Sequence, residues 1–260
     1  MATYTTEITS DKLISDNPIH QRLLKAYIAA KPLVKGDLLE IGCGEGRGVE
    51  TLAPLVDHYQ GLDKIKEVID RLRRKFPDCT FEQAFIPPLS DIPSDKFDTI
   101  VSFQVIEHIQ NDRLFLEEIH RVLKPGGTAL ISTPNIRFSL SRNPWHIREY
   151  TPEQLKQLCN GIFANVEAKG IGGNEKVWEY HEANRQSVNK ITRWDVLNLQ
   201  YRLPAALLRI PYEILNRFNR NKLHKEQGHA VTAIQHTDYL LVDDPDEALD
   251  LFYILKKDGN

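Results

Sequence analysis

The sequence predicts an α/β fold, in which a doubly wound, mostly parallel sheet of seven strands carries a helical insertion before its last strand. Short apolar runs alternate with amphipathic helical segments from residue 18 to residue 135, as in a parallel sheet with right-handed crossovers. Residues 97–103 (FDTIVSF) are almost continuously apolar, which is typical of a strand covered on both faces. With 260 residues, 41% of them hydrophobic, the chain can bury such a core.

The first half of the chain supplies four of the strands. Apolar positions one helical turn apart predict a helix over residues 18–31, with Pro32 just beyond its end. The following short apolar runs predict strands over residues 37–41, 58–63, 80–85 and 97–103. A glycine-rich turn and a helix separate the first two strands, and residues 65–76 form a basic amphipathic helix before Pro77.

The second half supplies three more strands. A helix is predicted over residues 111–124, where Pro125 and two glycines end it, and Thr151 with Pro152 marks the start of another helix. The remaining strands are predicted over residues 128–132, 162–171 and 249–256. Residues 174–235 are helical in pattern and rich in basic residues, which indicates an insertion between the sixth and the last strand.

These patterns divide the chain into four parts: an N-terminal helical lid (1–35), an α/β core (36–173), a basic helical insertion that caps an acceptor pocket (174–235), and the final strands of the core sheet (236–260). The insertion has apolar residues among its basic ones: Leu203, Leu207, Leu208, Ile210, Ile214, Leu215 and Phe218. One hypothesis is that it contacts a membrane surface or an anionic lipid-linked substrate. The alternative is an amphipathic helix pair that completes the core.

Composition excludes several classes of protein. A net charge of -3 offers no overall basic field for a nucleic acid. The three cysteines are widely spaced, so neither a disulfide framework nor a zinc site is expected. Residues 1–16 are polar, unlike a secretory signal, and no apolar run approaches the roughly 18 residues of a membrane span. We therefore expect a cytoplasmic protein without a transmembrane segment, and leave its oligomeric state open.

The glycine-rich turn is the first candidate for a ligand site. It joins a buried strand to a helix as Glu40-Ile-Gly-Cys-Gly-Glu-Gly46, and ligands bind at this end of doubly wound sheets. A dinucleotide fingerprint requires a third glycine where Arg47 stands. Acidic Glu40 and Glu45 disfavour a diphosphate but favour a cationic ligand. Asp63, at the end of the second strand, can accept hydrogen bonds from two ribose hydroxyls.

Four segments, in order, carry a family resemblance: LLEIGCGEGRG, GLDK, FDTIVSFQVIEHI and LKPGGTALISTPN. Together they span roughly residues 36–135, and they resemble the successive motifs of class I S-adenosylmethionine-dependent methyltransferases. The resemblance implies the α/β fold described above, S-adenosyl-L-methionine as the cofactor and a methyl acceptor as the second substrate. Ordered motifs at normal spacing are far more specific than the glycine turn alone.

The resemblance also implies which residues bind the cofactor. Gly42, Gly44 and Gly46 would line its methionine portion together with Cys43, which we interpret as a small packing residue without a nucleophilic role, and Glu40 would help to hold the amino group. Phe103 and Gln104 would contact the same end. Asp63 would bind the ribose and Lys64 would lie beside the adenine. Gln83-Ala84 occupies the place of a common acidic residue, so the Gln83 amide oxygen is the candidate acceptor for the adenine amine.

For the acceptor side, the candidate catalytic residues are Glu107, His108 and His146. The run Val-Ile-Glu-His-Ile resembles ubiquinone-pathway O-methyltransferases, in which a Glu-x-x-Glu-His arrangement is associated with a divalent metal, but Gln104 replaces the first glutamate, and we expect no metal. The segment Asn143–Tyr150 resembles methyltransferases of glycan or lipid-linked sugar pathways, so Trp145, His146 and Arg148 could contact an acceptor. Both histidines could instead be structural, with Arg148 paired to Glu149 or another acid.

The sequence thus predicts O-methylation of a small-molecule, sugar or lipid-linked acceptor by direct in-line transfer. Methylation of nitrogen or carbon stays open. A nicotinamide-dependent dehydrogenase shares the sheet but conflicts with Arg47 and Glu45. The remaining alternative is a cofactor-binding module without catalytic activity.

Overall fold

The computed structural model describes residues 14–195 and 197–259, so residues 1–13 of the expected lid lie outside the described residues. Its centre is a single sheet in the order β3-β2-β1-β4-β5-β8-β6-β7. The first five strands run parallel, whereas β8 is antiparallel to both β5 and β6, and β7 is antiparallel to β6. The strands are β1 (Asp37–Ile41), β2 (His58–Asp63), β3 (Thr80–Gln83), β4 (Phe97–Phe103), β5 (Leu123–Pro134), β6 (Asn165–Gly173), β7 (Tyr239–Val242) and β8 (Asp250–Lys256).

The doubly wound fold is confirmed, but the strand count is corrected from seven to eight. The additional strand is β7, whose four residues pair with Gly170–Gly173 of β6 at the sheet edge. Such a short strand is defined by its neighbour and has little pattern of its own. Strand β5 also begins earlier than expected, because Leu123 already pairs with Phe97 and the Pro-Gly-Gly run belongs to the strand.

Eight α-helices accompany the strands in the described part of the chain. They are α1 (Asn17–Ala30), α2 (Arg47–Leu52), α3 (Lys66–Lys75), α4 (Asp112–Val122), α5 (Pro152–Asn160), α6 (Glu175–Thr192), α7 (Leu199–Arg202) and α8 (Ala205–Ala233). Thr151 caps α5 as expected, because its hydroxyl accepts from Gln154 N at 3.3 Å and the Gln154 side chain accepts from Thr151 N at 2.9 Å. None of the described helices combines the length and apolar character that a bilayer crossing requires.

Alternate residues of the central strands pack against the helices on the two faces of the sheet. Leu38 and Val101 belong to the hydrophobic cluster on the side of α1, α2 and α3. Leu39 and Ile100, one position away, belong to the cluster on the side of α4 and α5. Full burial of each such side chain is worth about 1.5–3 kcal/mol, so the two clusters hold the strand ends in fixed positions.

A buried carboxylate attaches helix α1 to the sheet. Glu40, the penultimate residue of β1, is 1% exposed. It accepts a hydrogen bond from the Tyr27 hydroxyl of α1 at 2.7 Å and another from the Tyr59 hydroxyl of β2. Burial raises the pKa of Glu40 to about 7, although the two hydrogen bonds lower it. Burial also raises the pKa of both tyrosines, so their hydroxyls stay protonated and donate.

The start of the described chain is bound to the C-terminal half of α8. Asp16 is buried, and its carboxylate lies 3.0 Å from Arg217 Nη1 and 3.3 Å from Arg220 Nη1. The Asn17 side-chain amide donates to the Val231 carbonyl at 2.8 Å. Helix α1 therefore lies between the sheet and the helical segment that follows β6.

The raised pKa of Glu40 predicts a pH dependence of stability. A carboxyl group with a higher pKa in the folded protein than in the unfolded chain stabilises the folded state when it is protonated. This stabilisation is complete below the pKa of the unfolded chain, and it is lost as the pH rises through the pKa of the folded protein. Between about pH 4.5 and pH 7.5, Glu40→Gln should therefore lose less free energy of unfolding than the wild type, by about 1–3 kcal/mol. Urea unfolding at several pH values measures this difference. Glu67→Gln, at an exposed position, is the control. If the free energy of unfolding changed equally with pH in the wild type and in Glu40→Gln, the prediction would be contradicted.

Candidate active site

A cavity of about 510 Å³ opens at the carboxyl ends of the parallel strands, where the sheet order reverses between β1 and β4. Its walls come from the ends of β1, β2, β4 and β5, from α1, from the loop after β5, and from α6 and α8. Eleven of the candidate site residues named from sequence line it: Gly42, Cys43, Gly44, Asp63, Lys64, Ala84, Phe103, Gln104, Glu107, His108 and His146. The fold thus brings together residues that lie more than 100 positions apart.

The glycine turn forms the wall above β1. Gly42, Gly44 and Gly46 have φ angles of 80°, 49° and 85°, which are left-handed conformations that favour glycine. A Cβ on Gly44 would meet nothing within 4 Å, so this backbone faces open cavity. Asp63 holds the turn in place, because its Oδ2 accepts from Gly44 N and its Oδ1 accepts from Ile65 N, both at 2.9 Å. A carboxylate has further lone pairs for a ligand.

Three of the residues expected to contact the cofactor do not line this cavity, and two of them, Gly46 and Glu40, belong to the glycine turn and the strand before it. A Cβ on Gly46 would lie 2.4 Å from Leu72 Cδ2, so Gly46 allows α3 to approach the turn closely. Glu40 lies behind the turn with its carboxylate on the two tyrosine hydroxyls. Its nearest cavity-lining neighbour is Tyr27, which the sequence analysis missed although it lies on the apolar face of the predicted first helix.

At the end of β3 the structure also departs from the prediction. Gln83 does not line the cavity, and its side-chain amide donates to the Lys64 carbonyl at 2.9 Å. Ala84, Phe85 and Ile86 form the wall instead. Phe85, two residues beyond the end of β3, is 74% exposed. The predicted strand over residues 80–85 included it, so no signal in the sequence marked this wall.

The end of β4 forms the opposite wall. Phe103 packs edge-on against Tyr27, with ring centroids 4.9 Å apart. Gln104 has a φ of 59°, and such a left-handed conformation at a residue other than glycine is costly and concentrated at functional sites. Cys43 is buried, and burial raises the pKa of its thiol, which agrees with a packing role and disfavours a nucleophilic thiolate.

The three candidate catalytic residues, Glu107, His108 and His146, converge in the cavity. One carboxylate oxygen and one ring nitrogen from each histidine all lie within 4.8 Å of one another. Glu107 is buried and accepts from the Thr133 hydroxyl at 2.9 Å. Burial raises the pKa of Glu107 to about 7, although the charge of His146 lowers it. The rings of His108 and His146 pack edge-on at 4.9 Å, and His108 Nδ1 lies 2.9 Å from the Trp145 carbonyl.

Glu149, which the sequence analysis did not select, is the partner of His146. The His146 Nδ1 atom lies 2.6 Å from Glu149 Oε1, and the Asn143 side-chain amide lies 2.8 Å from His146 Nε2. Of the two partners suggested for Arg148, Glu149 or a neighbouring acid, the structure has the second, since Arg148 pairs with Asp112. The only signal of Glu149 in the sequence is its place three residues after His146.

Trp145 and Arg148 do not line the cavity, contrary to the suggestion that they contact an acceptor. The Arg209 guanidinium lies over the Trp145 ring at 4.1 Å from its centroid, so this ring packs against α8. Trp145 instead contributes its carbonyl, which holds the His108 ring.

The helices after β6 complete the half of the cavity farthest from the glycine turn. Their contribution is polar and aromatic, and its main members are Tyr180, His181, Asn184, Tyr212, Asn216 and Arg220. Burial lowers the pKa of His181 to about 4, which keeps its imidazole neutral at pH 7. The sequence analysis missed these residues, although Tyr180 with Asn184 and Tyr212 with Asn216 are spaced by one helical turn.

Glu107, His108 and His146 lie close enough together to form a metal site, although the sequence analysis predicts that no metal binds. One carboxylate and two imidazoles are suitable ligands for a divalent transition metal. Each of the three already has a protein hydrogen-bond partner: the Thr133 hydroxyl, the Trp145 carbonyl and the Glu149 carboxylate, respectively. Both nitrogens of the His146 ring have protein contacts. The expectation of a metal-free site therefore stays a prediction.

Comparison with known proteins agrees with this geometry. The model of a family described as "Methyltransferase domain" matches residues 18–169. A Mycolicibacterium smegmatis protein named "Probable S-adenosylmethionine-dependent methyltransferase" is 39% identical over 136 residues, which cover 50% of this chain and 52% of that protein. The mouse mitochondrial ubiquinone biosynthesis O-methyltransferase is 31% identical over 133 residues, covering 45% of this chain and 34% of that protein. The chain therefore spans about half the length, or less, of these curated relatives.

Among solved structures, a SAM-dependent methyltransferase of Thermotoga maritima superposes with a TM-score of 0.57 over 92% of both chains. At 14% sequence identity this likeness shows the shared fold alone. The family match covers more than half of the chain, including every strand from β1 to β5. The chain belongs to the class I S-adenosylmethionine-dependent methyltransferase family, whose cofactor is S-adenosyl-L-methionine.

Proposed function

We propose that this chain transfers the methyl group of S-adenosylmethionine directly to an oxygen atom of a polar small-molecule, sugar or lipid-linked acceptor. One observation carries the proposal: a single cavity joins the glycine turn and Asp63 at one end to a histidine–carboxylate pair, His146 and Glu149, at the other. Alignment of two substrates and removal of one proton are the requirements of this reaction.

The cofactor end of the cavity fits an adenosyl sulfonium. The bare backbone of Gly44 lets the ligand approach closely. Asp63 has lone pairs left to accept hydrogen bonds from ribose hydroxyls. The adenine would lie in the next part of the cavity, which Lys64, Ala84 and Phe85 line. The negative charge of Asp63 and Glu45, which also line the cavity, suits a cationic ligand. When bound, the cofactor supplies a methyl carbon that an acceptor oxygen can attack as the carbon–sulfur bond breaks.

The proton of the acceptor hydroxyl would go to His146. With its Nδ1–H donated to Glu149 at 2.6 Å, the neutral ring has an unprotonated Nε2. An acceptor hydroxyl that takes the place of the Asn143 amide beside His146 Nε2 would donate its proton to this nitrogen. The hydrogen bond from Nδ1–H to Glu149 keeps the ring in the tautomer that can accept the proton. The Glu149 carboxylate would then stabilise the imidazolium that forms.

Glu107 and His108 would position this base. The Glu107 carbonyl accepts from Ile147 N at 2.8 Å, which fixes the loop that carries His146. The His108 ring holds the same loop through the Trp145 carbonyl at 2.9 Å.

The proposal of an oxygen acceptor has support from the relatives and from the cavity. The mouse relative is named as an O-methyltransferase. The far half of the cavity offers amide, phenol and guanidinium groups that can bind hydroxyl-rich molecules. In this proposal the segment 174–235 is the acceptor cap, and helix α1 contributes Arg22 and Leu23 as part of a lid.

Parallel titration calorimetry with S-adenosylmethionine and NAD, followed by an assay for S-adenosylhomocysteine release over a panel of hydroxylated acceptors, tests the proposed function. We expect binding of the first ligand only, and release that depends on an acceptor. Preferred binding of NAD would indicate a dehydrogenase. Binding of S-adenosylmethionine without turnover on any acceptor would indicate a module without catalytic activity.

Asp63→Ala should weaken S-adenosylmethionine binding by about 1.5–3 kcal/mol, or about 10–100-fold, because charge-assisted hydrogen bonds to the ribose are lost. Calorimetry measures the affinity, and circular dichroism checks that the glycine turn still folds without its contact at Gly44 N. Asp57→Ala, an exposed residue of the same segment, is the matched control. Unchanged affinity in Asp63→Ala would remove Asp63 from the site.

His146→Ala should lower turnover by about 10²–10⁴-fold, the usual contribution of a general base, while cofactor affinity stays nearly unchanged. Single-turnover methyl transfer from radiolabelled cofactor measures the effect. His58→Ala, an exposed histidine on β2, is the control. A chelator should leave the wild-type rate unchanged, and strong inhibition by a chelator would favour metal binding at Glu107, His108 and His146.

Glu149→Gln should lower turnover by about 10–100-fold, since a charge-assisted hydrogen bond to His146 Nδ1 is worth about 1.5–3 kcal/mol. It should also move the acidic limb of the pH–rate profile, which a purely structural effect would not do. Glu153→Gln, a carboxylate four residues away whose partner is Arg137, is the matched control. An unmoved pH–rate profile in Glu149→Gln would contradict the orienting role.

A further inference from the structure

Helix α8 carries apolar side chains on two faces. Leu208 and Tyr212 face a second cavity of about 170 Å³ between α6, α8 and the loop after β5, which shares Tyr212 and Asn216 with the main cavity. On another face, four large apolar residues, here called the outer stripe, follow one another at intervals of three or four residues and are 62–70% exposed: Leu207, Ile210, Ile214 and Phe218.

The segment that precedes α8 along the chain also exposes apolar side chains. Trp194 is 76% exposed, Tyr201 of α7 is 65% exposed, and Leu197 and Leu199 are exposed between them. An alternative expectation was that the apolar residues of this insertion complete the core. This expectation is wrong for the outer stripe, because its four side chains are mostly exposed to solvent. A helix that is apolar on more than one face is typical of a helix in contact with a second apolar phase.

Basic residues accompany these apolar ones. Residues 193–225 contain seven arginines and lysines but two acidic residues, Asp195 and Glu213, in a chain whose net charge is -3. Arg217 and Arg220 pair with Asp16. Four others are exposed, and one of them, Arg209, lies over the Trp145 ring. The remaining three are Arg193, Arg202 and Lys225.

The charge of this surface decides between two possible occupants. A second copy of the chain, related by a twofold axis, would bring the same basic residues against each other. An anionic lipid surface complements them, and exposed tryptophan and tyrosine side chains are enriched at the level of lipid headgroups. Helix α8 would lie along such a surface, with its C-terminal half held to the protein by Asp16 and Asn17.

We propose that the outer stripe, together with Trp194 and Tyr201, docks this protein onto an anionic membrane surface. The apolar side chains enter the boundary between headgroups and acyl chains, and Arg193, Arg202 and Lys225 contact headgroup phosphates. This docking goes beyond the proposed function, because it does not depend on which acceptor is methylated. The second cavity lies on the other side of the same helix, next to the acceptor half of the active site.

Vesicle sedimentation of the full chain tests the docking. We expect binding to vesicles of phosphatidylglycerol and phosphatidylcholine at low salt, loss of that binding at high salt, and none to pure phosphatidylcholine. The double variant Ile210→Glu with Ile214→Glu should bind at least about tenfold more weakly. Leu55→Glu, which changes a 47% exposed leucine on another part of the surface, is the matched control and should bind like the wild type.

Three results would overturn the docking: no binding of the wild type to anionic vesicles at low salt, equal binding by the double variant, or a dimer by light scattering that the double variant converts to a monomer. The last result would show that a second copy covers the outer stripe. Titration of each variant with S-adenosylmethionine confirms that it is folded. It also separates this test from the proposed function, since loss of vesicle binding with intact cofactor binding and turnover concerns the docking alone.

Discussion

The structure depends on a left-handed backbone turn after β1 that a carboxylate from β2 holds in place. Three glycines with positive φ reverse the chain between Ile41 and Arg47, and Gly44 N donates to Asp63 at 2.9 Å. The same two elements meet again where Gly42 N and Cys43 N donate to the Leu62 carbonyl. Because the turn and the second strand position each other, the protein's own hydrogen bonds fix the shape of the cofactor end of the cavity.

The opposite end of the cavity is built differently, from groups whose ionisation is set by burial. Glu107 has a pKa raised to about 7, and Asp250, in β8, is also buried with a raised pKa. The Arg22 guanidinium of α1 lies 3.2 Å from the Asp250 carboxylate. Three acidic side chains from separate segments, Glu107, Glu149 and Asp250, thus lie close enough to His146 to interact with it.

Helix α8 connects this site to the surface. Its C-terminal half is bound to residues 16 and 17 through Asp16 and Asn17, its inner face lines both cavities, and its outer stripe is exposed. One helix therefore serves as a cavity wall and, in our proposal, as a docking surface. This arrangement also explains why the segment is at once apolar and strongly basic.

The sequence by itself determined the doubly wound sheet and the glycine turn, and it placed Asp63 at the end of β2 and Glu107 with His108 after β4. These features are local, and their periodicity and spacing are visible along the chain. Only the tertiary structure decided that Glu40 pairs with two tyrosines, that Gly46 and Gln83 do not line the cavity, and that Glu149 pairs with His146. It also decided that β7 forms, since a four-residue edge strand is defined by β6. Side-chain direction and long-range pairing depend on how elements pack, and no one-dimensional pattern records that.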